Sequence, residues 1–204
     1  MALITNYSTL QTAVADYLAR SDLTSFVPNF IQNAEGKVYR SIRTRDMETD
    51  FSDTIANGEI TLPLRYLSLK HAYVDGSPTQ SLERVSSEQV YRKYPVRSGQ
   101  GKPCLIAVET SNFIFGPFPD QGYTIKGVYY RKYASLSASN TSNWYITDAP
   151  EVLLYGALLE ATPFIGDDIR IQTWQALFSE ALDTIVGEKR IEEHSGGTLR
   201  TRVA

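Results

Sequence analysis

The chain has 204 residues, 42% of them hydrophobic and 11% aromatic, which is ample for one sizeable core or for a core with a smaller inserted module, and unlike a disordered chain. A formal net charge of -3 at pH 7 offers nucleic acid no global basic attraction, and suits a soluble surface that DNA slides past. The single cysteine, Cys104, excludes an internal disulfide, has no Cys/His cluster around it to hold zinc, and points to a reducing compartment.

In chain order, MALITNYSTL has neither the basic start nor the apolar run of a signal peptide, and no stretch approaches membrane-spanning length. The expectation is a protein made in the cytoplasm and without a membrane partner. Ser8 with Gln11 reads as a capping box, and Leu10, Val14, Tyr17 and Leu18 give a first helix an apolar face up to Arg20. Ser21 to Ser25 is a turn of the length that joins antiparallel helices. The second helix starts at Val27, with Pro28 in its first turn, and ends near Arg43. Val27, Phe30, Ile31, Ala34, Val38 and Ile42 form its stripe, and Arg40, Arg43 and Arg45 gather where the helix dipole favours positive charge.

From Met47 the period changes. Phe51 and Ile55 lead into Asn57-Gly58, the strongest short hairpin signal, and residues 59–62 form the returning strand. Extended chain follows over 66–74, a turn over 75–78, a short strand over 82–85, and a short helix capped by Ser86 with Gln89. Residues 104–108 and 113–115 read as paired strands, and 123–130, rich in β-branched and aromatic residues, as another. Residues 136–144 are a polar loop. Asp148 with Glu151 caps a third helix carrying Leu153, Leu154, Ala157, Leu158 and Ala161, ended by Pro163 and Gly166. A fourth carries Ile171, Trp174, Leu177, Phe178, Ala181, Leu182 and Ile185.

The expected fold class is therefore α+β. N- and C-terminal helix pairs, residues 1–46 and 146–190, close one four-helix bundle, residues 47–145 are an inserted antiparallel β module, and residues 191–204 are an extended C-terminal arm.

A search for chemistry returns mostly structural explanations. His71 and His194 lie far apart in sequence with no Cys or carboxylate at ligand spacing, so neither a catalytic nor a metal residue is assigned, and no cofactor is implied. Gly99 to Lys102 lacks the spacing of a phosphate loop. Asp167 and Asp168 sit where helix capping accounts for them. Two features invite contact with other proteins. One is the tyrosine-rich β module, since the chain has 13 Tyr and Tyr suits both cores and interfaces; Tyr129 and Tyr130 are its candidates. The other is the arm, with Leu199, Arg200, Arg202 and Val203.

The segments FIQNAE (30–35), RSIR (40–43), LPLRYLSL (62–69), GPFP (116–119), NWY (143–145) and PEVLLY (150–155) resemble the head-to-tail adaptor, or connector, proteins of short-tailed bacteriophages. The resemblance spans about residues 5 to 186. It implies a structural virion protein and no enzyme: a ring, typically of twelve copies, beneath the portal protein, with a tail nozzle or tail fibre below and genome DNA passing through the channel without sequence-specific binding. It also implies that the arm residues reach the portal. A ring needs a heterologous joint between copies, for which Glu35, Arg40 and Arg43 join Tyr129 and Tyr130 as candidates; an ion pair within the subunit is the commoner use of such charges. The rival readings are a carbohydrate- or receptor-binding tail module, suggested by the aromatic strands, and a small hydrolase using Asp167 and Asp168 or the loop at Gly99.

Overall fold

The fold, in a computed structural model, is described for residues 3–96, 98–166 and 168–194, and for side chains as far as residue 188. Among the described residues the chain is α+β, with seven α-helices and two four-stranded sheets. Two units divide it, one formed by the helices before Met47 and after Lys132, the other by Met47–Lys132.

In the helical unit, α1 (Tyr7–Leu18) is capped two residues earlier than the sequence suggests. Asn6 Oδ1 accepts the Thr9 N–H at 2.9 Å, and Thr9 Oγ1 accepts the Asn6 N–H at 3.0 Å. Asn is among the best capping residues, and the Tyr7 N–H is already held by the Thr141 carbonyl at 2.7 Å, so the start is fixed ahead of Ser8. The expected turn is a 3₁₀ helix over Ser21–Phe26. Helix α2 (Val27–Ser41) buries Val27, Phe30, Ile31, Ala34 and Val38 as its stripe requires. It stops two residues short of Arg43 because Ile42 turns to an extended conformation. The Arg43 guanidinium then folds back and donates to the Tyr39 and Ile42 carbonyls, which the helix end leaves without amide partners.

After the β unit come α4 (Trp144–Asp148), capped by Asn143, then α5 (Pro150–Glu160), α6 (Thr162–Ile165) and α7 (Arg170–His194). Asp148 ends α4 and does not cap α5, which starts at Pro150 without a side-chain cap. Helix α5 is apolar nearly all round and buries Val152, Leu153, Leu154, Gly156, Ala157 and Leu158, because α1, α2 and α7 all pack on it. Gly156 marks the closest approach: a Cβ there would stand 3.0 Å from Ala34 Cβ and 3.2 Å from the Phe178 ring. Helix α7 carries the backbone to His194, so residues 191–194 are not the extended arm expected of them. Residues 195–204, with Leu199, Arg200, Arg202 and Val203, lie outside the described residues.

In the β unit the Asn57-Gly58 turn is present. Both residues have positive φ, 53° and 80°, as this two-residue turn demands, and Ala56 and Glu59 exchange both backbone bonds across it. Its flanking strands nonetheless part. The strand before it, β1 (Glu48–Thr54), joins one sheet and the strand after it, β2 (Glu59–Thr61), joins the other. The remaining strands are β3 (Tyr66–Val74), β4 (Gln80–Ser81), β5 (Glu83–Arg84), β6 (Leu105–Glu109), β7 (Asn112–Gly116) and β8 (Thr124–Arg131). The first sheet runs β1-β8-β3-β4 and the second β2-β7-β6-β5. The short strand expected over 82–85 is β5, which pairs parallel with β6, so the module is not wholly antiparallel; β4, just before it, joins the first sheet. Leu69, Ala72, Val74, Ile125 and Tyr129 of the first sheet meet Ile60, Ile106, Phe113 and Phe115 of the second in one core. On the back of the second sheet, α3 (Ser87–Lys93) lays Val90 over Leu105, Ala107 and Ile114. Burial on both faces explains the unbroken apolar runs of β6 and β7. The first sheet alternates instead: Ile125, Gly127 and Tyr129 of β8 are buried, while Lys126, Val128 and Tyr130 are partly exposed.

Residues 133–145, grouped by sequence with the β module, belong to the helical unit. The physical reason is polar: these residues supply the donors that a buried acid on α2 requires.

Candidate functional site

Of the groups singled out for chemistry, Asp168, the Gly99 to Lys102 loop and Cys104 are held by local bonding. His71 is exposed on the outer face of the first sheet, where Asp50, Ser52, Tyr73, Lys126 and Val128 line with it a shallow concavity of about 540 Å³; Lys126 is paired with Asp75 at 2.7 Å. The side chain of His194 and the whole of Asp167 lie outside the described residues. Asp168 Oδ2 accepts from Arg170 Nε and Nη2 at 2.9 and 2.6 Å and its Oδ1 from Nε at 3.1 Å, and Arg170 Nη1 donates to the Tyr17 carbonyl at 2.9 Å. The Arg170 guanidinium holds the Asp168 carboxyl below the usual carboxylate range, and the pair clips the start of α7 to the end of α1. The Gly99 to Lys102 loop is closed by the Gly101 N–H bonding the Phe118 carbonyl at 2.9 Å. Cys104 Sγ lies 3.4 Å from the Tyr94 hydroxyl and 3.5 Å from the Gly116 carbonyl. Among the described residues no group of three His, Cys, Asp or Glu is placed to hold a metal ion, and no helix is long and apolar enough to cross a membrane.

The candidates for a joint between copies divide. Glu35 is 2% exposed and Tyr129 5%, so both are interior groups of their own units and neither is free for a partner. Tyr129 packs between Phe51 and Tyr66 at ring distances of 6.1 and 5.9 Å. Arg43 is occupied by the end of α2. Arg40 is exposed, and Tyr130 is half-buried on the outer face of β8.

Glu35 organises the helical unit. Both its carboxylate oxygens accept the Leu136 N–H, at 3.2 and 3.3 Å, and Oε1 also accepts from Asn143 Nδ2 at 2.9 Å. Burial pushes the carboxyl up to about 7, against the lowering effect of those two donors. Beside it stand Tyr39, Tyr133, Trp144 and Tyr145, with ring centroids 5.4 to 5.6 Å from that of Tyr145. Burial drives the Tyr145 hydroxyl well above its ordinary value. One acid thus fastens the returning chain to α2 and, through Asn143, orients the cap of α4. A sequence signal for its burial existed, since Ile31, Glu35, Val38 and Ile42 share the helical spacing of the stripe.

Each unit leaves an exposed feature. Phe26 and Phe164, 40% and 47% exposed, pair at 5.2 Å over buried Phe30. In the β unit, β1 is an edge strand.

The class of this α+β chain comes from its family: it is that of the phage adaptors, a structural role. The family model of the SU10 adaptor protein matches residues 5–202, and the chain belongs to that family. No curated protein matches it.

Proposed function

We propose that this protein is a head-to-tail adaptor that forms a ring, typically of twelve copies, beneath the portal of a phage virion and links the capsid to a tail nozzle or fibre. The observation that carries the reading is the family match over nearly the whole chain. Helices α1, α2, α5 and α7 pack on one another and, read as a four-helix bundle, give the subunit a stiff body for ring building. The β unit then faces a tail protein, and Arg40 and Tyr130 are the surface groups retained for the joint between copies. The net charge of -3 suits a channel through which DNA passes without sequence-specific contact. The carbohydrate-binding alternative needs aromatic rings exposed in one plane. Of the aromatic residues in and around the β unit that suggest it, Phe113, Phe115 and Tyr129 are buried and Phe118, Tyr123, Tyr130 and Tyr133 are partly buried.

The test is mass photometry of the purified full chain, alone and with a portal ring. A monomer, or a small assembly, that becomes a ring of many copies on the portal supports the adaptor reading. A chain that stays monomeric beside the portal overturns it.

A further inference from the structure

The first sheet ends in an edge strand. β1 is seven residues long and among the described residues pairs only with β8, whereas β2 has three residues and β4 and β5 two each. The Ile55 N–H bonds the Tyr123 carbonyl at 2.9 Å, which fixes the phase of the ladder. Antiparallel alternation then turns Thr49, Phe51 and Asp53 toward β8 and leaves the N–H and C=O of Glu48, Asp50 and Ser52 at the free edge. The Thr54 N–H, next in that row, is taken by Asp53 Oδ1 at 2.7 Å. β1 carries Glu48, which Lys70 of β3 already holds at 2.6 Å, with Asp50 and Asp53, and no basic residue. Charge on an edge guards it against pairing with its like, and here the like is another β1. The same charge suits a basic strand.

The chain itself contains a basic segment with the sequence pattern of a strand. The ten residues after His194, SGGTLRTRVA, hold two arginines and no acidic side chain. From Thr198 they alternate, with Thr198, Arg200 and Arg202 on one side and Leu199, Thr201 and Val203 on the other, rich in β-branched residues as a strand prefers. Fully extended, ten residues reach roughly 33 Å.

We propose that the free edge of β1 is completed in the assembly by residues 198–203 of a second copy, added as an antiparallel strand with Arg200 opposite Asp50, Arg202 opposite Glu48 and Leu199 opposite Phe51. This rests on the reading that copies meet through two different faces, a heterologous joint that can close a ring. Strand addition supplies affinity through backbone bonds, and the alternating side chains set the register. A slip of one residue would turn both arginines to the Phe51 side of the sheet, which the apolar core disfavours.

The register makes Ser52 and Thr198 direct neighbours, with Cα atoms about 5.5 Å apart as in any bonded antiparallel pair, which a disulfide spans. Full-length Ser52→Cys and Thr198→Cys proteins, each also carrying Cys104→Ser, are mixed under mild oxidation, with a Ser98→Cys protein in place of Ser52→Cys as the exposed control. The expected result is a cross-linked pair for Ser52→Cys, several-fold above the control. Adding Arg200→Glu to the Thr198→Cys copy removes it, and Asp50→Arg on the other copy restores it. A yield no higher than the control, or one indifferent to charge reversal, overturns the proposal. So does loss of portal binding on deletion of residues 195–204 with no cross-link, which assigns the segment to the portal. Ring formation on the portal is measured separately on unsubstituted protein: rings without the cross-link sink only the added strand, and absence of rings sinks the adaptor reading.

Discussion

The carboxylate of Glu35 holds the backbone N–H of Leu136 from 101 residues away, through both oxygens at once. Removing it by Glu35→Ala strands that buried N–H and the Asn143 amide without an acceptor, and each buried donor left unsatisfied costs about 1–3 kcal/mol. Glu35→Gln keeps an acceptor oxygen and is expected to lose less than half as much. Both tryptophans, Trp144 and Trp174, lie in the helical unit, where α4 and α7 carry them. Urea unfolding followed by tryptophan fluorescence therefore reads the effect there, and equal losses for the two variants would remove the hydrogen bonds as its cause.

The same carboxyl predicts an unusual dependence on pH. Its folded value is about 7 against an ordinary value of 4.5, so between those limits the folded chain binds more protons than the unfolded one. Stability from this group is then fully present below about pH 4.5, falls as pH rises through the window, and levels off above about 7; the whole change is at most about 3 kcal/mol. The native chain should lose helical-unit stability from pH 5 to pH 7.5, and Glu35→Gln should not. A parallel decline in both proteins would assign the slope to other groups.

Tyr145 offers the opposite case. Its side chain is wholly buried and its hydroxyl makes no hydrogen bond among the described residues. A polar atom buried without a partner is a cost that Tyr145→Phe removes while keeping the ring contacts to Tyr39, Tyr133 and Trp144. The substitution is expected to leave the unfolding midpoint unchanged or to raise stability by about 1 kcal/mol. A loss beyond about 1 kcal/mol would mean that the hydroxyl is in fact satisfied.

What the sequence made legible was local. The stripe of α2 and the Asn57-Gly58 turn each follow from a few adjacent residues, and both are present. What it missed depended on partners far along the chain. The hairpin turn was read correctly, but its two strands find better mates in β8 and β7, so they enter different sheets. Glu35 looked like half of a surface ion pair with Arg40 or Arg43, because nothing in residues 30–43 reveals that Leu136 and Asn143 come to meet it. Helix α5 was expected with a cap at Asp148; the actual chain fits α4 ahead of it because Asn143, drawn in by Glu35, caps a helix of its own. For the arm, the register proposed on β1 depends on alternation in the sequence and on the edge in the fold, and neither suffices alone.

Gly127 and Gly156 separate two kinds of tight packing. At Gly127, in the middle of the first sheet, a Cβ would stand 2.9 Å from Ala72 Cα and crowd the His71 carbonyl oxygen, with the Phe51 ring on the other side. Backbone on a paired strand cannot retreat, and the Phe51 ring fills the space a side chain would need. At Gly156 the nearest atoms are the Ala34 methyl and the end of the Phe178 ring, and a ring can tilt. Alanine also favours a helix interior over glycine by about 1 kcal/mol, which offsets part of the crowding. Gly127→Ala is therefore expected to cost the β unit about 1–3 kcal/mol or more, while Gly156→Ala changes the helical unit by no more than about 1 kcal/mol. Because the tryptophans report only on the helical unit, the first effect is read from the near-ultraviolet circular dichroism of the tyrosines and the second from fluorescence. If Gly127→Ala unfolded at the native midpoint, the close backbone contact between β8 and β3 would have to be looser than the register of these strands allows.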